Sequence, residues 1–224
     1  MTVVLRPELH EIELADGRTA TARVFGPLGG PTVAAFHPGG FTQGEPSWCD
    51  RFAAAHAERS LTYVSLPYRL AVGGVTVLDQ VADAALGVRW VADRSERFLT
   101  GGHSAGGWLA LMNATAAGVV GTVVLSPAPR LSSGLGPFVP ADATPEQLDP
   151  TLASGDLPEL AVLHGDQDQI LPFDGSERLV DAWRARGGTA TLDVVAGADH
   201  FFNQPRHADA AHEGLATAAA RLLA

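Results

Sequence analysis

The chain has 224 residues, of which 46% are hydrophobic and 18% charged, a balance typical of one globular domain rather than of a disordered or fibrous protein. Its net charge of −10 argues against nucleic acid and anionic membrane surfaces as partners. Cys49 is the only cysteine, so no disulfide can form within the chain, and neither a signal peptide nor a membrane-spanning apolar run is recognisable. We therefore expect a cytoplasmic protein.

Predicted strands and helices alternate along the chain. Apolar and polar residues alternate at 9–14 and 19–25 around Asp16-Gly17, which is the pattern of a β-hairpin. Short apolar runs then predict buried strands at 32–36, 61–66, 97–100, 121–125, 160–164 and 189–195. Helices are predicted at 48–59, 76–92, 107–117, 176–186 and 206–223. Two antiparallel strands followed by repeated strand–helix alternation predict an α/β fold with one doubly wound, mostly parallel, eight-stranded sheet.

One stretch, residues 127–158, has no clear periodicity and is rich in Pro, Ser and Gly. It is long for a connection within a compact domain. We expect a lid or a substrate-pocket loop there, inside a single domain that comprises residues 1–224. After it, Asp174 and Glu177 resemble a capping box at the start of the helix predicted at 176–186.

Gly102–Gly106 reads Gly-His-Ser-Ala-Gly and lies between a predicted strand and a predicted helix. A nucleophilic serine stands on a very tight turn, where the flanking positions can hold little more than a hydrogen atom. Ser104 is therefore the candidate nucleophile, although the motif alone also fits an ordinary glycine-rich turn.

Three further segments follow predicted strands, and reactive groups of open α/β sheets gather beyond the carboxyl ends of the strands. After the third strand, the N–H groups of Gly39 and Gly40, together with that of Ala105, are candidates to bind an oxyanion. After the seventh strand, Asp166 and Asp168 both qualify as the acid that orients a histidine, and spacing cannot separate them. These segments supply two of the groups that a nucleophilic serine needs.

His200 follows the last predicted strand and is the candidate base. The order Ser104, an aspartate, then His200 is the chain order of the catalytic triad in α/β-hydrolases, which distinguishes them from other folds that carry a triad. Asp199 is a poor candidate for the acid, because a sequence neighbour cannot easily lie behind the ring of His200.

These motifs resemble the α/β-hydrolase superfamily, closest to the esterase branch of hormone-sensitive-lipase-like and arylformamidase-like enzymes. His37–Phe41 resembles the His-Gly-Gly-Gly oxyanion motif of that branch, and Tyr68–Ala71 resembles its Tyr-Arg-Leu-Ala-Pro segment. The resemblance covers nearly the whole chain, and it implies Asp168 as the acid, because the family pattern Gly-Asp-x-Asp-x-x-Val-Pro places it there. Pro38 departs from the oxyanion motif and has no N–H, but the family's donors are the two residues after it.

The resemblance implies a hydrolase of small carboxylic esters that forms an acyl-enzyme on Ser104 and needs no metal or cofactor. An arylformamidase-type cleavage of an amide, or cleavage of a thioester or lactone, is the first alternative, and a non-catalytic small-molecule receptor on the same fold is the second. The chain lacks the N-terminal cap helices common in that branch, which implies a minimal lid. The residues predicted to contact substrate are Phe41, His103 and Phe201. The sequence leaves the physiological substrate and the oligomeric state open.

Overall fold

The computed structural model of the protein describes residues 5–224. The strands of this part of the chain are β1 (Glu8–Glu13), β2 (Thr19–Phe25), β3 (Thr32–Phe36), β4 (Thr62–Leu66), β5 (Phe98–His103), β6 (Val119–Leu125), β7 (Glu159–Gly165) and β8 (Ala190–Val195). The α-helices are α1 (Asp50–Ala57), α2 (Val77–Ala92), α3 (Ala105–Met112), α4 (Pro145–Leu148), α5 (Asp174–Ala185) and α6 (Pro205–Leu223). Short 3₁₀ helices lie at Pro46–Cys49 and Pro150–Leu152.

The strands form one eight-stranded sheet in the order β1-β2-β4-β3-β5-β6-β7-β8. The pairs β1–β2 and β2–β4 are antiparallel, whereas every pair from β4 to β8 is parallel. This confirms the predicted mostly parallel sheet with an antiparallel N-terminal hairpin. The carboxyl ends of β3, β5, β7 and β8 therefore lie along one edge of the sheet, which is where the four sequence motifs follow them.

Helices cover both faces of the sheet, and this explains the uninterrupted apolar strands. Every residue of β3 and β4 is buried. On one face α2, α3 and α5 contribute to a core that contains the fully buried Trp108 and Trp183. On the other face α1 and α6 contribute Phe52 and Leu215 to a second core. Strands with both sides buried read as continuous hydrophobic runs rather than as alternating ones.

Three local predictions are corrected: the end of β5, the beginning of α3 and the capping of α5. β5 continues to His103, three residues beyond the predicted strand, and α3 begins at Ala105 rather than at 107. The predicted capping box is absent, because α5 begins at Asp174 and the Asp174 carboxylate accepts a hydrogen bond from Arg178 instead. The errors at β5 and α3 arise because glycine often ends a strand but also permits close approach of the backbone. The error at α5 arises because aspartate can cap a helix but can also pair with a cation.

The segment 127–158 packs against the helices and carries α4. Its buried side chains include Leu131, Val139 and Leu148, and the indole N–H of Trp108 in α3 donates to the Leu148 carbonyl over 3.1 Å. Its role as a lid stays a prediction. Within residues 5–224, no helix is long and apolar enough to cross a membrane, and no group of three or more His, Cys, Asp or Glu residues is placed to hold a metal ion.

Candidate active site

Ser104 lies on a strained turn between β5 and α3. Its backbone has φ of 57° and ψ of −120°, a conformation that residues with side chains rarely adopt. A Cβ atom on Gly102 would lie 2.3 Å from the Gly106 carbonyl oxygen, and a Cβ atom on Gly106 would lie 2.1 Å from the Phe36 carbonyl oxygen. Close approach of the backbone therefore requires both glycines of the motif, and the turn places Ser104 at the carboxyl edge of the sheet.

The structure brings three predicted residues together at this edge. Ser104 Oγ lies 2.9 Å from His200 Nε2, and His200 Nδ1 lies 2.6 Å from Asp168 Oδ2. The three residues are 7%, 4% and 5% exposed, so bulk water competes little for these hydrogen bonds. Because Nδ1–H donates to the carboxylate, Nε2 is left to accept the hydrogen of the serine hydroxyl. In this arrangement the imidazole can take up that proton while the carboxylate stabilises the resulting positive charge.

The two aspartates that sequence spacing could not separate have different positions. Asp168 Oδ1 accepts hydrogen bonds from the N–H groups of Ile170 and Leu171 over 2.9 and 2.8 Å, which leaves Oδ2 for the histidine. Asp166 is exposed, and its carboxylate accepts from the N–H of Gly197 over 2.6 Å, which ties the loop after β7 to the loop after β8. Only Asp168 lies behind the ring of the histidine.

A second histidine, which the sequence analysis did not single out, binds the same carboxylate. His164 is fully buried at the end of β7, and its Nε2 lies 3.1 Å from Asp168 Oδ2 and 2.9 Å from the Leu171 carbonyl oxygen. Since both neighbours are acceptors, Nε2 carries a hydrogen, and Nδ1 lies 2.7 Å from Ser176 Oγ. Burial raises the pKa of Asp168, but hydrogen bonds from His164, His200 and the Leu171 N–H outweigh burial and hold it well below its usual range.

The predicted oxyanion donors lie next to the nucleophile. Gly39 and Gly40 have φ of 138° and 57°, and among the described residues neither N–H has a backbone or side-chain acceptor. The N–H of Ala105 belongs to the first turn of α3, where N–H groups have no partner within the helix. A Cβ atom on Gly39 would lie 1.8 Å from the Gln43 carbonyl oxygen, so this loop conformation requires glycine there.

A polar network holds the loop that carries these glycines. The Tyr68 hydroxyl donates to the His37 carbonyl oxygen over 2.8 Å, and the two rings stack with their centroids 4.1 Å apart. Burial lowers the pKa of His37 to about 4, so the ring is neutral and its Nδ1–H donates to the Pro38 carbonyl oxygen. The Gln80 amide donates to the carbonyl oxygens of Phe41 and Arg69, each over 2.7 Å. Residues 68–71 therefore hold the loop of Gly39 and Gly40 in place and do not line the cavity beside Ser104.

A cavity of about 430 Å³ adjoins Ser104. Its lining residues are Pro38, Gly39, Gly40, Gln43, Trp48, Arg51, His103, Ser104, Ile170, His200, Phe201 and Asn203. Phe201 is 53% exposed and meets the ring of His200 edge-on, with the centroids 5.4 Å apart. His103 Nε2 lies 3.0 Å from the His200 carbonyl oxygen, and burial, helped by the charges of His200 and Arg51, lowers the pKa of His103 to about 3. Two of the three predicted substrate contacts thus line the cavity.

Phe41, the third predicted substrate contact, does not line the cavity. Its ring is buried edge-on against Trp108 at 5.5 Å between centroids, and Phe138 lies 5.8 Å away. A φ of 71° at Phe41 belongs to the same tight bend as the glycines before it. The sequence places Phe41 beside the site correctly, but the ring packs in the core beneath the loop. No residue of 127–158 lines the cavity either.

Solved structures with the same fold come from several sources. A thermophilic esterase from the planctomycete Thermogutta terrifontis, with propionate bound, has a TM-score of 0.80 and 23% identity over 97% of this chain and 93% of its own. EstE1, a thermophilic carboxylesterase cloned from a metagenomic library, has a TM-score of 0.79 and 26% identity over 98% and 90%. A hyperthermophilic esterase from the archaeon Pyrobaculum calidifontis has a TM-score of 0.80 and 24% identity over 98% and 87%.

Comparisons of the sequence with curated proteins and with family models give one negative and one positive result. No curated protein matches the chain. The family model described as alpha/beta hydrolase fold matches residues 33–147, which is just over half of the chain and includes the loop of Gly39 and Gly40 and the turn of Ser104. The sheet order, the turn of Ser104 and this match agree with one another. The chain therefore belongs to the α/β-hydrolase family.

Proposed function

We propose that the protein is a serine hydrolase that cleaves carboxylic esters of small substrates through an acyl-enzyme. The observation that carries the proposal is the hydrogen-bonded chain Ser104 Oγ, His200 Nε2, His200 Nδ1 and Asp168 Oδ2, which borders a cavity whose wall also contains the free amides of Gly39 and Gly40. Nucleophile, base, orienting acid and oxyanion donors are then present together, as acyl transfer requires.

The first half of the reaction acylates the serine. Ser104 Oγ attacks the ester carbonyl carbon while its proton passes to His200 Nε2, and the carbonyl oxygen becomes the oxyanion of a tetrahedral intermediate. The N–H groups of Gly39, Gly40 and Ala105 donate to that oxygen. Asp168 stabilises the imidazolium, which then gives its proton to the departing alkoxide, so that an alcohol leaves and the acyl group remains on Ser104.

The second half repeats the chemistry with water. His200 takes a proton from a water molecule as its oxygen attacks the acyl carbon, and the second tetrahedral intermediate uses the same three N–H groups. Collapse returns the proton to Ser104 Oγ and releases the carboxylic acid. One ester and one water are consumed, and one acid and one alcohol are formed.

The solved neighbours support an ester rather than an amide as substrate. Three of them are described as esterases or carboxylesterases, and the Thermogutta terrifontis enzyme has been solved with propionate and with butyrate bound. A cavity of about 430 Å³ has room for esters of similarly short acids. We infer short-chain esters as the substrate class of this chain.

The proposal is tested by labelling and by a substrate panel. A fluorophosphonate should modify Ser104, located by mass spectrometry of the peptide, and should abolish turnover in proportion to labelling. Rates are then compared on a short-chain ester, a thioester, a lactone and an N-formylaryl amide, and the ester should give the highest kcat/KM. A higher rate on the formyl amide would replace the ester assignment, and no turnover of any substrate with tight retention of one would indicate a receptor.

A further inference from the structure

One fixed positive charge lines the cavity beside Ser104. Of its lining residues only Arg51 carries a fixed charge, and no Asp or Glu lines it. The chain as a whole has a net charge of −10, so a cationic wall here is opposite in sign to the rest of the molecule. Such local inversion of charge focuses anionic ligands toward a cleft.

Arg51 has no carboxylate partner among the described residues. The adjacent Asp50 pairs with Arg23, so it does not neutralise Arg51. The Arg51 guanidinium carbon lies 4.8 Å from the centroid of the Phe52 ring, and its Nη2 lies 3.2 Å from His103 Nδ1. These two contacts fix the guanidinium against the wall of the cavity without compensating its charge.

The contact with His103 leaves most of the guanidinium free. His103 Nε2–H donates to the His200 carbonyl oxygen, so Nδ1 accepts from Arg51 and the imidazole stays neutral. This is the only hydrogen bond of the Arg51 side chain within residues 5–224. A guanidinium has several N–H donors in a planar fork that matches a carboxylate in two-point geometry. Arg51 and Ser104 line the same cavity, so one small ligand can contact both residues.

We propose that Arg51 binds a carboxylate carried by the substrate, so that the preferred substrates are esters with a free carboxylate on their acyl or alcohol part. This inference rests on the proposed ester hydrolysis and narrows its substrate class. The apolar side chains of Trp48, Ile170 and Phe201, each more than 40% exposed, line the same cavity and would cover the hydrocarbon part of such an ester. A charged carboxylate gains more from the guanidinium than a neutral group of the same shape does.

The test uses pairs of esters that differ only in carboxylate against carboxamide. For the alcohol side, 4-acetoxybenzoate is compared with 4-acetoxybenzamide, and for the acyl side, monomethyl glutarate is compared with methyl glutaramate. The readout is the ratio of kcat/KM within each pair, so that any general effect of a substitution cancels. In the unmodified protein the ratio should favour the carboxylate for at least one pair, and the preference should weaken at higher ionic strength.

Three variants assign that preference to Arg51. Arg51→Met should lower the carboxylate-to-carboxamide ratio about tenfold, mainly through KM, and Arg51→Lys should keep part of it. Arg59→Met is the matched control, because Arg59 lies just beyond the same helix and pairs with Glu213 instead, and its ratio should equal that of the unmodified protein. If Arg51→Met leaves both ratios within about twofold of the original values, the inference is wrong.

A binding measurement separates this inference from the proposed function. In the Ser104→Ala protein, which cannot form an acyl-enzyme, calorimetry should show tighter binding of 4-acetoxybenzoate than of 4-acetoxybenzamide, and Arg51→Met should remove the difference. If no ester is hydrolysed but this difference exists, the proposed function fails and the carboxylate site stands. If esters are hydrolysed and no difference exists in binding or in rate, the carboxylate site fails and ester hydrolysis stands.

Discussion

Two histidines, His200 and His164, lie within hydrogen-bond distance of the Asp168 carboxylate, and each of them also lies within that distance of a serine hydroxyl. The two Ser–His pairs have different properties. On one side His200 joins the carboxylate to Ser104, with distances of 2.6 and 2.9 Å. On the other side His164 joins the same oxygen to Ser176, with distances of 3.1 and 2.7 Å. The rings are used in opposite senses, because His200 presents Nδ1 to the carboxylate and His164 presents Nε2.

The two serines differ in their access to substrate. Ser104 stands on a turn with positive φ and lines the cavity, whereas Ser176 is fully buried in an ordinary stretch of α5 and lines no part of that cavity. Within residues 5–224 the N–H groups of Gly39 and Gly40 have no acceptor, whereas the N–H groups of Gly175 and Ser176 donate to the carbonyl oxygens of Pro172 and Phe173. We therefore expect acyl transfer at Ser104 and not at Ser176, because the reaction also needs room for a carbonyl group and donors for its oxygen.

Replacing each serine in turn by alanine tests this comparison of the two Ser–His pairs most directly. Ser104→Ala should lower kcat/KM on a short-chain ester by about 10³ to 10⁶, since the nucleophile is lost. Ser176→Ala should lower it less than about tenfold but should cost about 1 to 3 kcal/mol in the free energy of unfolding, because His164 Nδ1 then loses its partner. Ester hydrolysis assays and urea denaturation measure the two effects, and the opposite assignment of losses would refute the comparison.

Neutralising the shared carboxylate should give the next largest effect. Asp168→Asn should lower kcat about 10⁴-fold, because an amide neither selects the correct tautomer of His200 nor stabilises its positive charge. Asp166→Asn is the matched control, since Asp166 is exposed and its only hydrogen bond within residues 5–224 comes from the Gly197 N–H, and it should change kcat less than about threefold. Equal losses in the two variants, measured on the same ester, would contradict the geometry.

Removing the second histidine should have a smaller effect that appears in the pH profile. His164→Leu deletes the N–H that partly neutralises Asp168, so the carboxylate binds the protonated ring of His200 more strongly. The acid limb of kcat/KM against pH should move to higher pH, and kcat should fall about tenfold. His164→Gln keeps an N–H donor and should stay close to the original profile. A loss of rate with an unmoved acid limb would assign His164 a structural role only.

Other buried histidines have no hydrogen bond to a carboxylate, in contrast to His200 and His164, and this predicts how the stability of the fold depends on pH. Burial lowers the pKa of His37 and His56 to about 4 and that of His103 to about 3 in the folded protein. In the unfolded chain the pKa of each histidine is about 6.5, so below pH 6.5 the unfolded chain binds more protons than the folded protein. Stability should be greatest above about pH 6.5 and should fall toward pH 4, by up to about 1.4 kcal/mol per pH unit for each of the three. Asp168, whose pKa is lowered, adds a further loss only below about pH 4.

Urea unfolding at pH 7.5, 6 and 5 measures this smallest effect. His56→Gln should reduce the slope of stability against pH, since His56 lies in the core away from the cavity and is one of four histidines, with His37, His103 and His212, whose pKa burial lowers. A slope that is flat between pH 7.5 and 5 would contradict neutral burial of these histidines.

Local patterns were sufficient where a single physical constraint acts. β3 begins and ends at its predicted residues, because a strand covered on both faces is predominantly apolar and stands out from the loops around it. The Gly-x-Ser-x-Gly turn was predictable for a similar reason, since only glycine fits at Gly102 and Gly106. The extension of β5 to His103 was not, because the glycines that normally end a strand are here required by the backbone passing close to them.

The sequence by itself determined the order of strands and helices, the turn of Ser104 and the succession of serine, aspartate and histidine, because these depend on periodicity and on local steric limits. Residue spacing could not separate Asp166 from Asp168, and the tertiary structure places Asp168 behind the ring of His200, as the family resemblance implied. Only the tertiary structure buries Phe41 in the core and brings His164 to Asp168 and Arg51 to His103. Loop conformation sets where a carboxylate points, and the last contact joins residues 52 positions apart. No local pattern encodes such a distance, because packing of the helices against the sheet creates it.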